Sequence, residues 1–304
     1  MTEPALGTAM LTGGALANGP RLLAPGALAN SGVAAPNSGP PVLVIEQPGA
    51  GAPPFVIDAT PRMPSVVCRA RVTGIVPDPT PTTAFDWLIE IIEPQRRGTC
   101  ASAGVLCGYQ EYGRAVVGGS WQPGLAEIRG GEARIRASAT VGGTRVEAET
   151  RVTIIGTNPS RAAVRALCGG AATDIARIAC HESGMEQFGG NGFPKLGPGG
   201  DTGIMQLCNP AASCDERWNW KANVDRGIAL FNQHKGAARQ HLNAHTIDGK
   251  WPNDKGMTKE QMLQREAIKR FNGGQYWTWD ATNSMWLAQP PGDYTDKVLA
   301  ASCP

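Results

Sequence analysis

The sequence predicts a chain in two parts, an antiparallel β-sandwich followed by a mainly α-helical domain, and three observations carry that prediction. Hydrophobic residues alternate with a period of two over several short runs between residues 66 and 154, the mark of strands with one buried face. From Asn158 onward the period lengthens to that of a helix. Composition changes in the same region: the first lysine is Lys195, all four histidines lie at 181 or later, and six of the eight tryptophans lie at 218 or later.

Residues 1–40 precede both patterns. Their only charges are Glu3 and Arg21, and Gly13-Gly14 and Asn18-Gly19-Pro20 interrupt the apolar letters. A secretory signal needs a basic start, an unbroken apolar core and a small-residue cleavage site in that order, so the stretch reads instead as a disordered, uncharged Ala/Gly/Pro-rich tail.

The sandwich is expected over residues 41–157. Val66, Cys68, Ala70 and Val72 face one way while Arg69, Arg71 and Thr73 face the other. Phe85, Trp87, Ile89 and Ile91 alternate in the same manner with Asp86 and Glu90, as do Ala133, Ile135, Ala137 and Ala139 with the arginines between them. Val146, Ala148, Val152 and Ile154 make the last run, and Gly142-Gly143 before it reads as a hairpin turn. Short alternating strands separated by Gly/Pro turns predict an immunoglobulin-like sandwich. No cluster of titratable residues converges within it, so its expected role is binding, spacing or docking.

The helical domain is expected over residues 158–304. Ser160 is placed to cap a helix over 161–168, which Gly169-Gly170 ends, and Thr173 or Asp174 to cap the next, running through Ile175, Ile178 and Glu182. Val224, Ile228 and Phe231 form one stripe further on. Thr258 and Gln261 have the spacing of a capping box before Met262, Leu263, Ile268 and Phe271.

Bulk composition excludes some functions. Lys+Arg 28 against Asp+Glu 26 gives a formal charge of +2, which argues against a polybasic nucleic-acid binder. No run of about 18 apolar residues marks a membrane span. The eight cysteines, at 68, 100, 107, 168, 180, 208, 214 and 303, suit disulfides in an oxidising compartment. Cys100/Cys107 and Cys208/Cys214 are each close enough in sequence to close a small loop, but spacing leaves the connectivity open, and a buried free thiol is an equal reading for Cys180.

The residue with most chemical promise is Glu182. It stands at i+7 from Ile175 on the apolar face of its helix, close to the C-terminal end. Desolvation and the negative pole of the helix both disfavour a carboxylate there, which raises the pKa toward the range of a general acid. Zinc-protease chemistry is excluded because His181-Glu182 would need a second histidine at 185, where Met185 stands. Cys180 and His181 are adjacent on one helix and point about 100° apart, so they are no nucleophile-base pair. Histidines 234, 241 and 245 read as exposed helix residues.

Four short motifs follow one another from Glu182: Glu182-Ser183-Gly184, Gly203-Ile204-Met205-Gln206, Arg270-Phe271-Asn272-Gly273-Gly274, and Tyr294 ahead of Val298-Leu299. Their order and spacing across residues 160–302 resemble the soluble lytic transglycosylases of the goose-type lysozyme superfamily, whose motifs read E-S, G-L-M-Q, A-Y-N-x-G and a late tyrosine before a V-L pair. The segment from Asn219 through Asn223 and Val224 to Leu230 is also similar to that family's. Two of the motifs depart from it: Arg270-Phe271 replaces Ala-Tyr, which removes a hydroxyl near the groove, and Ile204 replaces Leu, a volume-conserving change.

The resemblance implies a lysozyme-like domain that cleaves the glycan strands of peptidoglycan between N-acetylmuramic acid and N-acetylglucosamine. Glu182 would act alone as general acid and then base, leaving a 1,6-anhydro end without hydrolysis. Ser183, Met205, Gln206, Phe271, Asn272 and Tyr294 would bind substrate around it. No cofactor and no metal is implied. A hydrolase of the same fold is the nearest alternative, with Asp201 or Glu186 positioning water. The aromatic set Trp218, Trp220, Tyr276, Trp277, Trp279 and Trp286 is expected to supply one or two sugar-stacking rings, the rest being core. For the whole chain, a wall-cutting enzyme stands against a structural or assembly component with an inactive lysozyme-like domain. Delivery by a virion or secretion machine to the periplasm or cell wall, with the β domain docking on that carrier, is the expected route.

Overall fold

Eight strands build the front half: β1 (Val42–Gln47), β2 (Phe55–Ile57), β3 (Cys68–Thr73), β4 (Ala84–Ile92), β5 (Gly108–Val117), β6 (Ser120–Trp121), β7 (Gly131–Val141) and β8 (Thr144–Gly156). The structure is a computed structural model and describes residues 39–94, 98–100, 106–247, 249–252 and 256–303. The tail expected over 1–40 falls, except for its last two residues, outside the described residues.

The strands form a three-stranded sheet in the order β1-β3-β6 and a five-stranded sheet in the order β2-β8-β7-β4-β5. Residues of the expected parity point inward from both: Cys68, Ala70 and Val72 from the small sheet pack with Phe85, Trp87, Ile89, Ile135 and Ile154 from the large one in a single core. The β7–β8 turn is Gly142-Gly143, with φ of 56° and 81°. These left-handed angles match the two-residue hairpin turn whose twist suits the strands it joins. One edge departs from the antiparallel expectation, because β2 runs parallel to β8 with Phe55 opposite Ile154. A parallel neighbour needs a crossover, and the chain makes one by leaving β2 for β3 in the other sheet.

Helices follow: α1 (Arg161–Leu167), α2 (Asp174–Ser183), α3 (Cys214–Trp218), α4 (Trp220–Asn243) and α5 (Lys259–Phe271), then a hairpin of β9 (Trp277–Asp280) and β10 (Met285–Ala288), and α6 (Tyr294–Ala300). Ser160 caps α1, and the cap of α2 is Thr173, whose hydroxyl accepts from the Ala176 N–H at 3.3 Å, with Asp174 in the first turn. Thr258 and Gln261 close both halves of their capping box on α5, at 3.2 and 2.8 Å. Ile178, Met205, Val224, Phe231, Ile268 and Val298 share the helical core. The β9–β10 hairpin was not legible as strands, since its alternating tryptophans read equally well as helical core.

The strand-rich and helical stretches belong to one compact unit, Ser38–Pro304. Two aromatic residues from the helical half, Phe188 and Trp218, sit in the β core. They lie against glycines: a Cβ on Gly156 would fall 2.2 Å from the Phe188 ring, and one on Gly130 2.2 Å from the Trp218 ring. Beside them the buried Arg217 Nη1 donates to Glu93 Oε2 at 2.7 Å. Truncating Trp218 empties a fully buried site, so Trp218→Ala is expected to cost about 3–5 kcal/mol of unfolding free energy. Urea denaturation measures it, and a cost below about 1 kcal/mol would mean that the halves do not depend on this contact.

Two disulfides join these halves and a third lies within the helical one. Cys100 bonds Cys208, Cys107 bonds Cys214, and Cys180 bonds Cys303. Neither short local loop forms, and Cys180 is no free thiol. The reason is topological: residues 98–100 and 106–107 are brought against residues 199–214, as the Cys100 N–H to Gly199 carbonyl bond at 2.9 Å records. Cys68 and Cys168 are unpaired and buried, and burial pushes their thiols up to about 12 and about 11. Both are therefore inert hydrophobes at neutral pH.

Candidate active site

Glu182 is placed by the way α2 ends. Gly184 adopts φ of 71° and its N–H caps the Cys180 carbonyl at 2.9 Å, while Met185, also left-handed at 64°, donates to the Ala179 carbonyl at 3.2 Å. The chain turns away sharply and leaves Glu182 at the head of a cleft of about 420 Å³. Asp201, Met205, Gln206, His234, Arg270 and Asn272 are among the other residues that line it, with Phe271 between the last two.

The Glu182 carboxyl is half-buried and meets Tyr294, whose hydroxyl donates to Oε1. Burial raises the Glu182 pKa; the Tyr294 hydrogen bond lowers it, and the charge of Asp201 adds to the rise. Burial and the adjacent carboxylate together keep the Tyr294 hydroxyl protonated far above its ordinary range. With Oε1 accepting from tyrosine, Oε2 is the oxygen left to carry a proton, and it has no hydrogen-bond partner among the described residues.

A buried frame holds the opposite wall. Gln187, fully buried, accepts from the Ile204 N–H at 3.1 Å and donates to the Arg217 carbonyl at 2.8 Å. Asn223, also fully buried, accepts from the Met205 N–H at 2.9 Å and donates to the Thr202 carbonyl at 3.1 Å. Gly203, at φ of 74°, passes between the two amides, where a Cβ would fall 2.5 Å from the Gln187 oxygen. Gln206 then takes φ of 45°, a left-handed angle that costs a non-glycine residue about 1 kcal/mol or more. Met205 forms the floor against Gly227 of α4, where a Cβ would fall 2.4 Å from Met205 Cγ. Gly227→Ala is therefore expected to destabilise by about 1–3 kcal/mol and to lift the floor. Thermal unfolding and steady-state rates of that variant check both; unchanged values in both would remove Gly227 from this role.

The residues singled out in the sequence divide into two groups. Glu182, Met205, Gln206, Phe271, Asn272 and Tyr294 meet at the cleft or at its acid. Ser183 does not line it: the hydroxyl is buried, donates to the Ile204 carbonyl at 2.9 Å, and accepts from the Glu186 N–H at 3.2 Å, so it ties the end of α2 to the wall. Of the two spare carboxylates, Asp201 lines the cleft, whereas Glu186 is held outside it by Lys195 at 2.6 Å. Cys100, Asp201 and Cys208 cluster, but the two sulfurs are joined to each other and offer no thiolate to a metal.

None of the six aromatics expected near the groove lines the cleft. Trp218 fills the β core, Trp220 is buried with its Nε1 on the Ala59 carbonyl at 2.8 Å, and Tyr276, Trp277 and Trp286 form a separate core. Trp279 stacks on His245 at 4.1 Å. The histidines are likewise engaged rather than simply exposed: His241 Nε2 lies 3.1 Å from the Trp277 carbonyl, and His234 lines the cleft edge-on to Phe271 at 6.1 Å. Burial, then the neighbouring Arg270, holds His234 below the usual imidazole range, so it is neutral at pH 7. Sequence reasoning missed Gln187 and His234. Buried polar anchors leave no periodic signal, and a lone histidine on a long helix has no partner in sequence to mark it.

No family model matches the chain, and no curated protein matches it. Among solved structures, an engineered protein from the Northeast Structural Genomics Consortium aligns with 38% of this chain and 20% of its own, at 14% identity and a TM-score of 0.20. A likeness that slight carries no inference about fold or function.

Proposed function

We propose that the protein is a peptidoglycan lytic transglycosylase in which Glu182 is the single general acid and base. The observation that carries the reading is the half-buried Glu182 at the head of a cleft, its Oε1 occupied by Tyr294 and its pKa raised by burial. A carboxyl so placed is protonated further up the pH scale than an exposed one and presents its proton from Oε2. In the first step that proton passes to the glycosidic oxygen as the bond to the muramic acid anomeric carbon breaks. The resulting carboxylate then takes the proton of the muramic acid 6-hydroxyl while that oxygen bonds to the anomeric carbon. An attacking group already tethered to the sugar needs no protein nucleophile. Gln206 and Asn272 supply amide groups for the N-acetyl substituents, and Phe271 supplies the ring expected from tryptophan.

Three disulfides favour action in an oxidising compartment, consistent with a delivered effector or virion-associated enzyme working in the periplasm or cell wall. A carrier would be engaged through the β-rich half. Asp201 supports a second reading, hydrolysis by the same fold, because it shares the cleft with Glu182 and could hold a water. Mass spectrometry of muropeptides released from purified peptidoglycan separates the two. Products lighter than hydrolytic ones by one water, absent with Glu182→Gln, establish the lytic reaction. Reducing ends dependent on both Glu182 and Asp201 would establish hydrolysis, and no release would leave a structural component with an inactive site.

A further inference from the structure

We infer that Arg270 is a specificity residue that receives a carboxylate of the substrate beside the scissile bond. The inference rests on the reading of the cleft as a glycan-cleaving site. Arg270 stands in the last turn of α5 and, with His234 and Gly273, lines both the cleft of Glu182 and a second depression of about 540 Å³ that continues past Gln275 to Thr278 of β9 and Gln289 just after β10. The groove is polarised along this line. Glu182 and Asp201 stand at one end, and Arg270 is the one cationic side chain lining either depression among the described residues, since His234 is neutral.

The guanidinium is held ready by a partner that lies behind it. Its Nε donates to Glu266 Oε1 at 2.7 Å, and Glu266 is fully buried, its other oxygen accepting the N–H groups of Tyr276 and Trp277 at 2.8 and 3.0 Å. The Nη groups of Arg270 have no partner among the described residues. The pair is thus a fixed dipole with its positive end at the cleft and a free two-pronged donor face, the geometry that suits a carboxylate. Peptidoglycan strands are anionic through two kinds of carboxyl, that of the lactyl ether when no peptide is attached and those of the peptide stem. The alanine of the resembling motif could not make this contact.

The test compares three substrates with the whole protein: native strands, the same strands with carboxyls converted to methylamides, and strands stripped of stems so that the lactyl carboxylate is free. For the wild type, KM is expected to be about tenfold higher on the amidated strands with kcat nearly unchanged, which is about 1.4 kcal/mol, one charge-assisted hydrogen bond. Rising salt should raise KM on native but not amidated strands. Arg270→Gln should abolish the difference and Arg270→Lys should retain part of it. A low KM on stripped strands assigns the contact to the lactyl carboxylate, and a high one to the stem. Equal KM values for the wild type on native and amidated strands overturn the inference without any variant, as does a full tenfold gap in a folded Arg270→Gln. Those failures leave turnover intact, whereas no release from any strand overturns the proposed function and this inference with it.

Discussion

Glu182→Gln is expected to lower the rate of glycan cleavage by at least about 10³-fold, within the range general acid-base catalysis contributes, with little change in KM. The variant keeps the size of the side chain and an acceptor for Tyr294 but has no proton to give. The pH profile of the wild type carries a sharper test. The acid must be protonated, so kcat/KM falls as pH rises through the raised Glu182 pKa. Its two neighbours act on that limb in opposite directions. Tyr294→Phe removes a hydrogen bond that favours the carboxylate, so the descending limb moves to higher pH. Asp201→Asn removes a like charge, so the limb moves to lower pH. A shift in the same direction for both would mean that Glu182 is not the titrating group. Stability follows with its own sign. A carboxyl whose folded pKa lies above its unfolded one stabilises the fold at low pH, and that contribution is lost as pH rises through the folded value. Glu182→Gln should therefore unfold at a higher temperature than the wild type above that pH and lose the advantage below it, the familiar exchange of stability for function at an active site.

The periodic parts of the molecule were legible in the sequence, and the parts that depend on contacts between distant segments were not. Val66 to Val72, Phe85 to Ile91 and Ala133 to Ala139 display their buried face in every second letter, because one face of a sheet is a local property. The caps at Ser160, Thr173 and Thr258 are equally local. Trp218 shows the limit: as a letter it suits a sugar-binding groove, and only the approach of bare backbone at Gly130, far away in sequence, makes it part of the β core. The cleft was legible as motifs, since Glu182, Met205, Gln206 and Asn272 meet there, but the hydroxyl of Ser183 was not, because its acceptor is a backbone carbonyl that carries no letter. Glu266 and Arg270 stand four apart on α5, the spacing of a helical ion pair, but no letter shows that Glu266 is fully buried with its other oxygen on the Tyr276 and Trp277 N–H groups, which fixes the direction of Arg270.

The largest stability effect is expected at the paired disulfides, and it should be strongly non-additive. Cys100–Cys208 and Cys107–Cys214 close loops of 108 and 107 residues, and in the chain-entropy account a first link of that length restrains the unfolded chain by about 4.7 kcal/mol. With one link in place, the other closes only a ring on the order of a dozen residues through the first, which is worth about 3 kcal/mol. Replacing either pair by serine should therefore cost about 3 kcal/mol, and removing the remaining pair should cost the larger amount, about 4.7 kcal/mol, because the chain then loses its last tie between the two halves by this route. Calorimetry of the two single-pair variants and the combined variant measures the asymmetry; equal costs for the first and second removal would count against it. Activity should follow the Cys100–Cys208 pair more closely than its neighbour. Cys208 lines the cleft, and Asp201, two residues beyond the Gly199 carbonyl that accepts from Cys100, lines it too. Losing Cys107–Cys214 slackens the region around the buried Arg217, whereas losing Cys100–Cys208 frees the wall that faces Glu182. At temperatures where both single-pair variants remain folded, the first should keep a near-normal kcat and the second a reduced one.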